Sequence, residues 1–178
     1  MNTMQDLSTG TFLPMLTMLS QILDKGGEHM RTQGKDPDAL VEAKLAPDMF
    51  PLSFQIGFAC HQAVSCMDML TGQTPVQYAS TNAKTLADLK AVIEKTSAKL
   101  KSVDTKALAG AETRKIEMPL QEPLYVEANG FDIVRAWILP NFYFHIVTAY
   151  DILRHNGVEL GKRDYMGGIL GPYIRQRG

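Results

Sequence analysis

Apolar residues recur every three or four positions in four segments of this chain, the spacing that places side chains on one face of an α-helix. The first helix is predicted from about Ser8 to Thr32, with Gly34 closing it. A kink is expected at Gly26–Gly27, because glycine weakens a helix interior. The second helix is predicted between Pro51 and Gly72, and the third begins after Thr85, a residue that commonly caps helices.

The fourth helical segment contains a proline. We expect a first piece from Phe131 to Leu139 that stops at Pro140, because proline lacks a backbone donor and constrains the residue before it. Pro140 equally suits the first turn of a new helix, which then reaches Asn156 and Gly157.

The remaining segments are shorter. A short helix is expected over residues 38–45 with Asp36 as its N-cap, and the alternation of residues 112–128 predicts a hairpin or extended excursion. Residues 158–178 contain several glycines and are predicted to form an irregular arm packed on the rest of the protein. Residues 1–178 are therefore predicted to form one all-α domain, an antiparallel four-helix bundle with at least one long connection.

Charge and composition narrow the class of protein. Eighteen basic and nineteen acidic residues nearly balance, so nothing electrostatic favours nucleic acid as a partner. The longest apolar stretch, about residues 131–153, is interrupted by charged residues and a proline, which argues against a membrane span. The N-terminus lacks the basic segment of a signal peptide, and Cys60 and Cys66 are too far apart around a helix for a disulfide. These features predict a cytoplasmic protein.

The candidate site centres on His145. At 100° per residue, His145 lies about 60° to one side of the core face of the fourth helix, and Tyr150 lies about 80° to the other. Gln55 lies about 60° off the core face of the second helix, whereas His61 is predicted to point away from the core. A ligand pocket is therefore expected near five residues: Asp48, Gln55, Phe142, His145 and Tyr150.

Each of these residues also has a structural interpretation. An isolated histidine at a core margin often serves only as a hydrogen-bonding side chain, and Phe142 and Tyr150 have the spacing of ordinary packing residues. Asp48, close before the second helix, is a candidate cap for it. A metal site needs three or four converging donors, yet the position four residues after His145 is Ala149.

Two sequence blocks nevertheless resemble a known group of proteins. They are residues 45–52 (LAPDMFPL) followed by Gln55, and residues 139–145 (LPNFYFH) followed by Tyr150 and residues 153–158 (LRHNGV). Together with residues 161–165 (GKRDY), they resemble an uncharacterised bacterial domain-of-unknown-function family grouped with the DinB/YfiT-like four-helix bundles. The resemblance extends over essentially the whole chain.

The resemblance implies a four-helix bundle, a homodimer and, as in many members of the superfamily, a divalent metal such as zinc or nickel. That metal is held by one histidine on the second helix and two on the fourth, four residues apart, and some members are thiol-dependent transferases. His145 matches the first histidine of the pair, while Ala149 and Gln55 stand at the other two places.

Three hypotheses follow, and they leave open whether the protein is an enzyme. The first is a degenerate member that lacks the complete histidine triad and binds a small molecule around Gln55, His145 and Tyr150. The second is a metal-dependent enzyme in which His145 is a ligand and Asp48, Gln55 or Asp164 completes the shell. The third is a structural or stress-related homodimer without catalysis.

Overall fold

The structure, a computed structural model, describes residues 3–176. Its helices are α1 (Thr3–Leu7), α2 (Thr9–Thr32), α3 (Leu52–Leu70), α4 (Leu86–Lys101), α5 (Gly130–Ile133), α6 (Leu139–His155) and α7 (Lys162–Leu170). The strands are β1 (Lys115–Pro119) and β2 (Tyr125–Asn129), and short 3₁₀ helices span Pro37–Glu42, Thr105–Leu108 and Gly171–Tyr173.

Helices α2, α3, α4 and α6 form the bundle, because each contributes an apolar face to one shared core. The core packs tightly where α2 meets α6: the rings of Phe12 and Phe142 lie edge to face at 4.8 Å. The predicted all-α four-helix bundle is therefore confirmed. None of the described helices is long and apolar enough to cross a membrane.

Two neighbouring helices, α3 and α4, run in the same direction. Asp68 near the end of α3 pairs with Lys99 near the end of α4 at 3.2 Å, and Cys60, earlier in α3, hydrogen-bonds Thr96 of α4. The prediction of a purely antiparallel bundle is therefore wrong for this pair. Parallel neighbours need a connection that returns along the full length of the bundle.

That connection consists of residues 71–85, which we call the strap. It leaves the end of α3 and returns along that helix, so that Tyr78 and Thr81 lie against Gly57. It ends at Thr85, where Thr85 and Asp88 form a capping box at the start of α4. The predicted cap is confirmed.

Helix α2 passes through Gly26 and Gly27 without interruption. A Cβ at Gly26 would lie 3.1 Å from Leu40 and 3.2 Å from Leu153, so this glycine lets two neighbouring segments approach the helix closely. Close packing therefore explains why position 26 is glycine, whereas helix propensity alone suggested that this glycine marks a kink.

The helical segment around Pro140 is continuous, so the predicted stop at Pro140 is wrong, whereas the alternative that places Pro140 in the first turn of a helix is confirmed. Residues Val134–Ile138 form a π-turn between α5 and α6, and Pro140 occupies the first turn of α6. The wider turn accommodates the ring and the missing donor of the proline without ending the helix.

The C-terminal segment also differs from the prediction, because residues Lys162–Leu170 form α7 rather than an irregular arm. Asp164 accepts a hydrogen bond from the backbone N–H of Gly161 at 2.8 Å and pairs with Lys25 of α2 at 2.6 Å. This N-terminal carboxylate and the contact with α2 stabilise a helix that its glycines disfavour. Residues 177–178 of the predicted arm lie outside the described residues.

The predictions for the two shorter segments, the hairpin and the short helix after Asp36, are confirmed except for the type and end of that helix. Strands β1 and β2 pair antiparallel, which confirms the hairpin within residues 112–128. Asp36 accepts a hydrogen bond from the backbone N–H of Asp38, as expected for a cap, but the short helix is a 3₁₀ helix that ends at Glu42.

Candidate functional site

A buried hydrogen bond joins α3 to α6 at the centre of the candidate site. Nδ1 of His145 lies 2.7 Å from Oε1 of Gln55, and the two residues are 8% and 2% exposed. The antiparallel packing of α3 on α6 brings these side chains together from opposite helices. Their predicted proximity is therefore observed.

The backbone before α3 fixes the orientation of the Gln55 amide. Nε2 of Gln55 donates to the carbonyl oxygen of Phe50 at 3.0 Å, so Oε1 is the atom that faces His145. Because Oε1 only accepts, Nδ1 of His145 carries the proton and donates it. The other ring nitrogen, Nε2, then bears a free lone pair when the imidazole is neutral.

This second nitrogen remains accessible. In the described part of the chain, Nε of Arg114 is the one buried side-chain nitrogen or oxygen without a hydrogen-bond partner. Nε2 of His145 also lacks a protein partner within residues 3–176, so it must contact solvent rather than lie fully enclosed. The arrangement presents one accessible acceptor atom from an otherwise buried side chain.

Burial keeps the imidazole neutral. Desolvation lowers the pKa of His145 from its ordinary 6.5 to about 4. At neutral pH the ring is therefore uncharged and a weak base, and its accessible nitrogen accepts hydrogen bonds.

Three phenylalanine rings lie around the imidazole and a fourth, Phe50, stacks on one of them; we call Phe50, Phe54, Phe58 and Phe144 the aromatic rim. The Phe58, Phe144 and Phe54 rings lie 4.6, 5.3 and 6.1 Å from the imidazole. Phe50, Phe54 and Phe58 stack in sequence at 4.0 and 5.4 Å; Phe54 and Phe58 lie one turn apart on α3, and Phe50 lies just before that helix. Phe50 and Phe144 are 61% and 59% exposed, so the rim offers apolar surface to a partner molecule.

His61 lies under the strap rather than pointing away into solvent. Its ring is 5.4 Å from the ring of Tyr78 and 5.6 Å from that of Phe58, and Nε2 lies 3.3 Å from Oγ of Ser65. Burial lowers the pKa of His61, and the charge of Asp68 partly opposes that effect. The strap, which shows no helical periodicity, is what covers this histidine.

The other predicted pocket residues lie elsewhere. Tyr150 packs against Tyr165 of α7 with ring centres 6.2 Å apart, and Phe142 is buried in the core. Asp48 is exposed, and α3 begins at Leu52 with Pro51 at the N-cap position and no side-chain cap, so the suggested capping role of Asp48 is wrong. Three members of the rim, Phe50, Phe54 and Phe58, were not predicted from sequence, although they are spaced four residues apart.

The residues present do not fit the metal of the wider superfamily. No three His, Cys, Asp or Glu side chains converge anywhere in residues 3–176. Gln55 uses both of its polar atoms, and Ala149 is buried in the core with no donor to offer. Asp164, the more distant donor considered, pairs with Lys25.

The cysteines offer no nucleophile either. Cys60 and Cys66 are free and buried. Burial raises the pKa of the Cys60 thiol to about 12 and raises that of Cys66 as well, so both remain protonated at neutral pH.

Fold and site together define a helical bundle of the DinB type with a buried glutamine–histidine pair between two of its helices. Residues 4–166 match the family described as "Domain of unknown function (DUF1993)", and the chain belongs to this family. A solved structure, that of a DinB family member protein from Shewanella denitrificans, is 35% identical, covers 98% of this chain and 96% of its own, and has a TM-score of 0.86. No curated protein matches the chain.

Proposed function

We propose that this protein binds a small organic molecule at His145, whose Nε2 accepts a hydrogen bond from the ligand. The observation that supports the proposal most directly is the 2.7 Å contact between Nδ1 of His145 and Oε1 of Gln55. It fixes one tautomer and leaves the accessible nitrogen as an acceptor before any ligand arrives, which lowers the entropic cost of binding.

The surroundings of His145 suggest the general chemistry of the ligand. A neutral acceptor selects a ligand with an O–H or N–H group, and the aromatic rim favours an apolar body beside that group. A charged ligand would find no compensating charge, because the polar side chains described here are the neutral Gln55 and the neutral His145.

The test is binding measured with histidine ¹⁵N NMR and thermal unfolding. A panel of small phenols, indoles and aliphatic alcohols is titrated against the protein, and at least one aromatic donor is expected to shift the Nε2 resonance of His145 and raise the melting temperature. His145→Phe should abolish the thermal response, while His155→Gln, an exposed change on the same helix, should preserve it. Equal responses in wild type and His145→Phe would overturn the proposal.

A homodimer is a second proposal, supported by a specific surface beside the site. Phe50, Phe144 and Val147 expose apolar area there, and burying such area favours association. Light scattering coupled to gel filtration should give twice the monomer mass, and Phe144→Glu should return the protein to the monomer. A wild-type protein that elutes as a monomer at high concentration would exclude this interface.

A further inference from the structure

Two side chains in the middle of the strap, those of Tyr78 and Thr81, pack against α3. The Tyr78 ring lies 5.0 Å from Phe58, 5.3 Å from Phe54 and 5.4 Å from His61. A Cβ built on Gly57 would lie 2.5 Å from both the Tyr78 hydroxyl and Cγ2 of Thr81. Glycine inside a helix costs about 1 kcal/mol relative to alanine, so Gly57 is explained by the room it leaves for the strap.

The strap backbone contributes little to this attachment. Between Thr74 and Thr81, none of its backbone groups hydrogen-bonds to another element of the described chain. Its ends are fixed, because Gln73 N–H donates to Asp68 O at 2.7 Å and the capping box holds Thr85. A segment fixed at both ends and held in the middle only by side chains can open locally at low free-energy cost.

The Tyr78 position affects the candidate site directly. Phe54 and Phe58 each lie close to the rings of both Tyr78 and His145. While Tyr78 is in place, these two rings are restrained by it and pack against the imidazole. When Tyr78 leaves, both rings gain room to turn away from His145.

We propose that the strap is a lid with Tyr78 as its latch, and that a planar aromatic molecule with one hydroxyl or N–H donor reaches His145 when Tyr78 leaves the slot beside Gly57. Such a ligand has the shape of the phenol side chain that departs, and it restores the aromatic contacts that Phe54 and Phe58 lose. The identity of the ligand class rests on the proposed function, whereas the mobility of the strap does not.

Two variants open the lid by different routes. In Gly57→Ala, the added Cβ conflicts with Tyr78 and Thr81 and expels the strap, while alanine favours the helix itself. In Tyr78→Ala, the latch is removed. Gly10→Ala, where a Cβ meets only ordinary contact at 3.5 Å, controls for the glycine replacement, and Val76→Ala controls for a change in the exposed part of the strap.

The first measurement uses no ligand. We measure the rate at which a nonspecific protease cleaves the strap and the rate of amide hydrogen exchange within it. Both rates should increase about tenfold in Gly57→Ala and in Tyr78→Ala and stay at the wild-type level in both controls. Exchange in the middle of α2 should not change. Wild-type cleavage rates in a folded Tyr78→Ala would overturn the lid, and this variant answers the question even if Gly57→Ala does not fold.

The second measurement is calorimetric binding of p-cresol, a free analogue of the tyrosine side chain. The open variants should bind p-cresol about tenfold more tightly than wild type. In these variants the strap is already displaced, so binding does not have to supply the free energy that displaces it. The double variant Tyr78→Ala/His145→Phe shows whether p-cresol merely fills the vacated slot, and undiminished binding there would overturn the proposal.

These measurements distinguish a failure of the lid proposal from a failure of the proposed function. If the strap is released but p-cresol binds no variant, the ligand assignment and the proposed function fail together. If p-cresol binds wild type through His145 with the same affinity as the open variants, the site stands and the lid is overturned.

Discussion

At the scale of single residues, Gln55 decides which nitrogen of His145 a ligand meets. Replacing Gln55 with leucine removes the acceptor for the buried Nδ1 of His145 and the donor for the part-buried carbonyl of Phe50, and it leaves both groups without these partners. We expect the free energy of unfolding to fall by about 1–3 kcal/mol in urea titrations. Gln33→Leu, a change of the same kind at an exposed position, should have little effect, and equal losses in the two variants would contradict this interpretation.

The pH dependence of stability follows from the same side chain. The pKa of His145 is about 4 in the native protein and near 6.5 when unfolded, so between these values the unfolded chain binds more protons. The free energy of unfolding should therefore decrease by about 2–3 kcal/mol as the pH falls from 6.5 to 4. Burial lowers the pKa of His61 as well, which acts in the same direction.

The check compares wild type with His145→Asn. The asparagine side chain of this variant does not titrate but can still donate toward Gln55, so the difference in pH slope between the two proteins isolates the imidazole. Parallel stability curves from pH 4 to 7 would show that burial does not depress the pKa of His145.

Sequence alone predicted the Gln55–His145 pair because both residues lie at the margins of their helices' apolar faces. The same projection included Tyr150, which packs on Tyr165 instead. Angles around one helix distinguish inside from outside, but they do not identify the element that packs there. Since α7 was not predicted, the neighbour of Tyr150 was not predictable either.

At the scale of secondary structure, Gly26 sets the distance between α2 and its neighbours. Gly26→Val should destabilise the protein by about 1–3 kcal/mol, because Leu40 and Leu153 leave no room for a branched side chain. Thermal and urea unfolding measure the loss. Gly10→Val, the same replacement at an exposed position of α2, should leave stability unchanged or slightly increased, and similar losses in both would point to helix propensity instead.

Helix boundaries were predictable where periodicity and caps agree, as at Thr85 and Gly72. They were not predictable where packing overrides local preference. Glycines within α7 disfavour a helix, yet Asp164 and the surface of α2 stabilise one. Similarly, Pro140 suggested a break, and a π-turn accommodates it.

At the scale of the whole molecule, chemical modification of the two buried cysteines measures how often the bundle unfolds. Cys60 and Cys66 lie inside the bundle with raised pKa values, so a disulfide reagent should modify neither at neutral pH in the native protein. Modification should become complete in denaturant and, below the transition, follow the fraction of unfolded molecules. Rapid native labelling of Cys66 would show that the core opens locally, whereas labelling of Cys60 alone in Gly57→Ala would place that opening beneath the strap.

The parallel arrangement of α3 and α4 could not be predicted, because amphipathic periodicity is the same in either direction along a helix. The parallel arrangement nevertheless sets a minimum length for the strap. Helix α3 is about 28 Å long, a distance that about nine fully extended residues span. Residues 71–85 exceed this minimum by a few residues, so small deletions should be tolerated and larger ones should force α4 to reverse its direction.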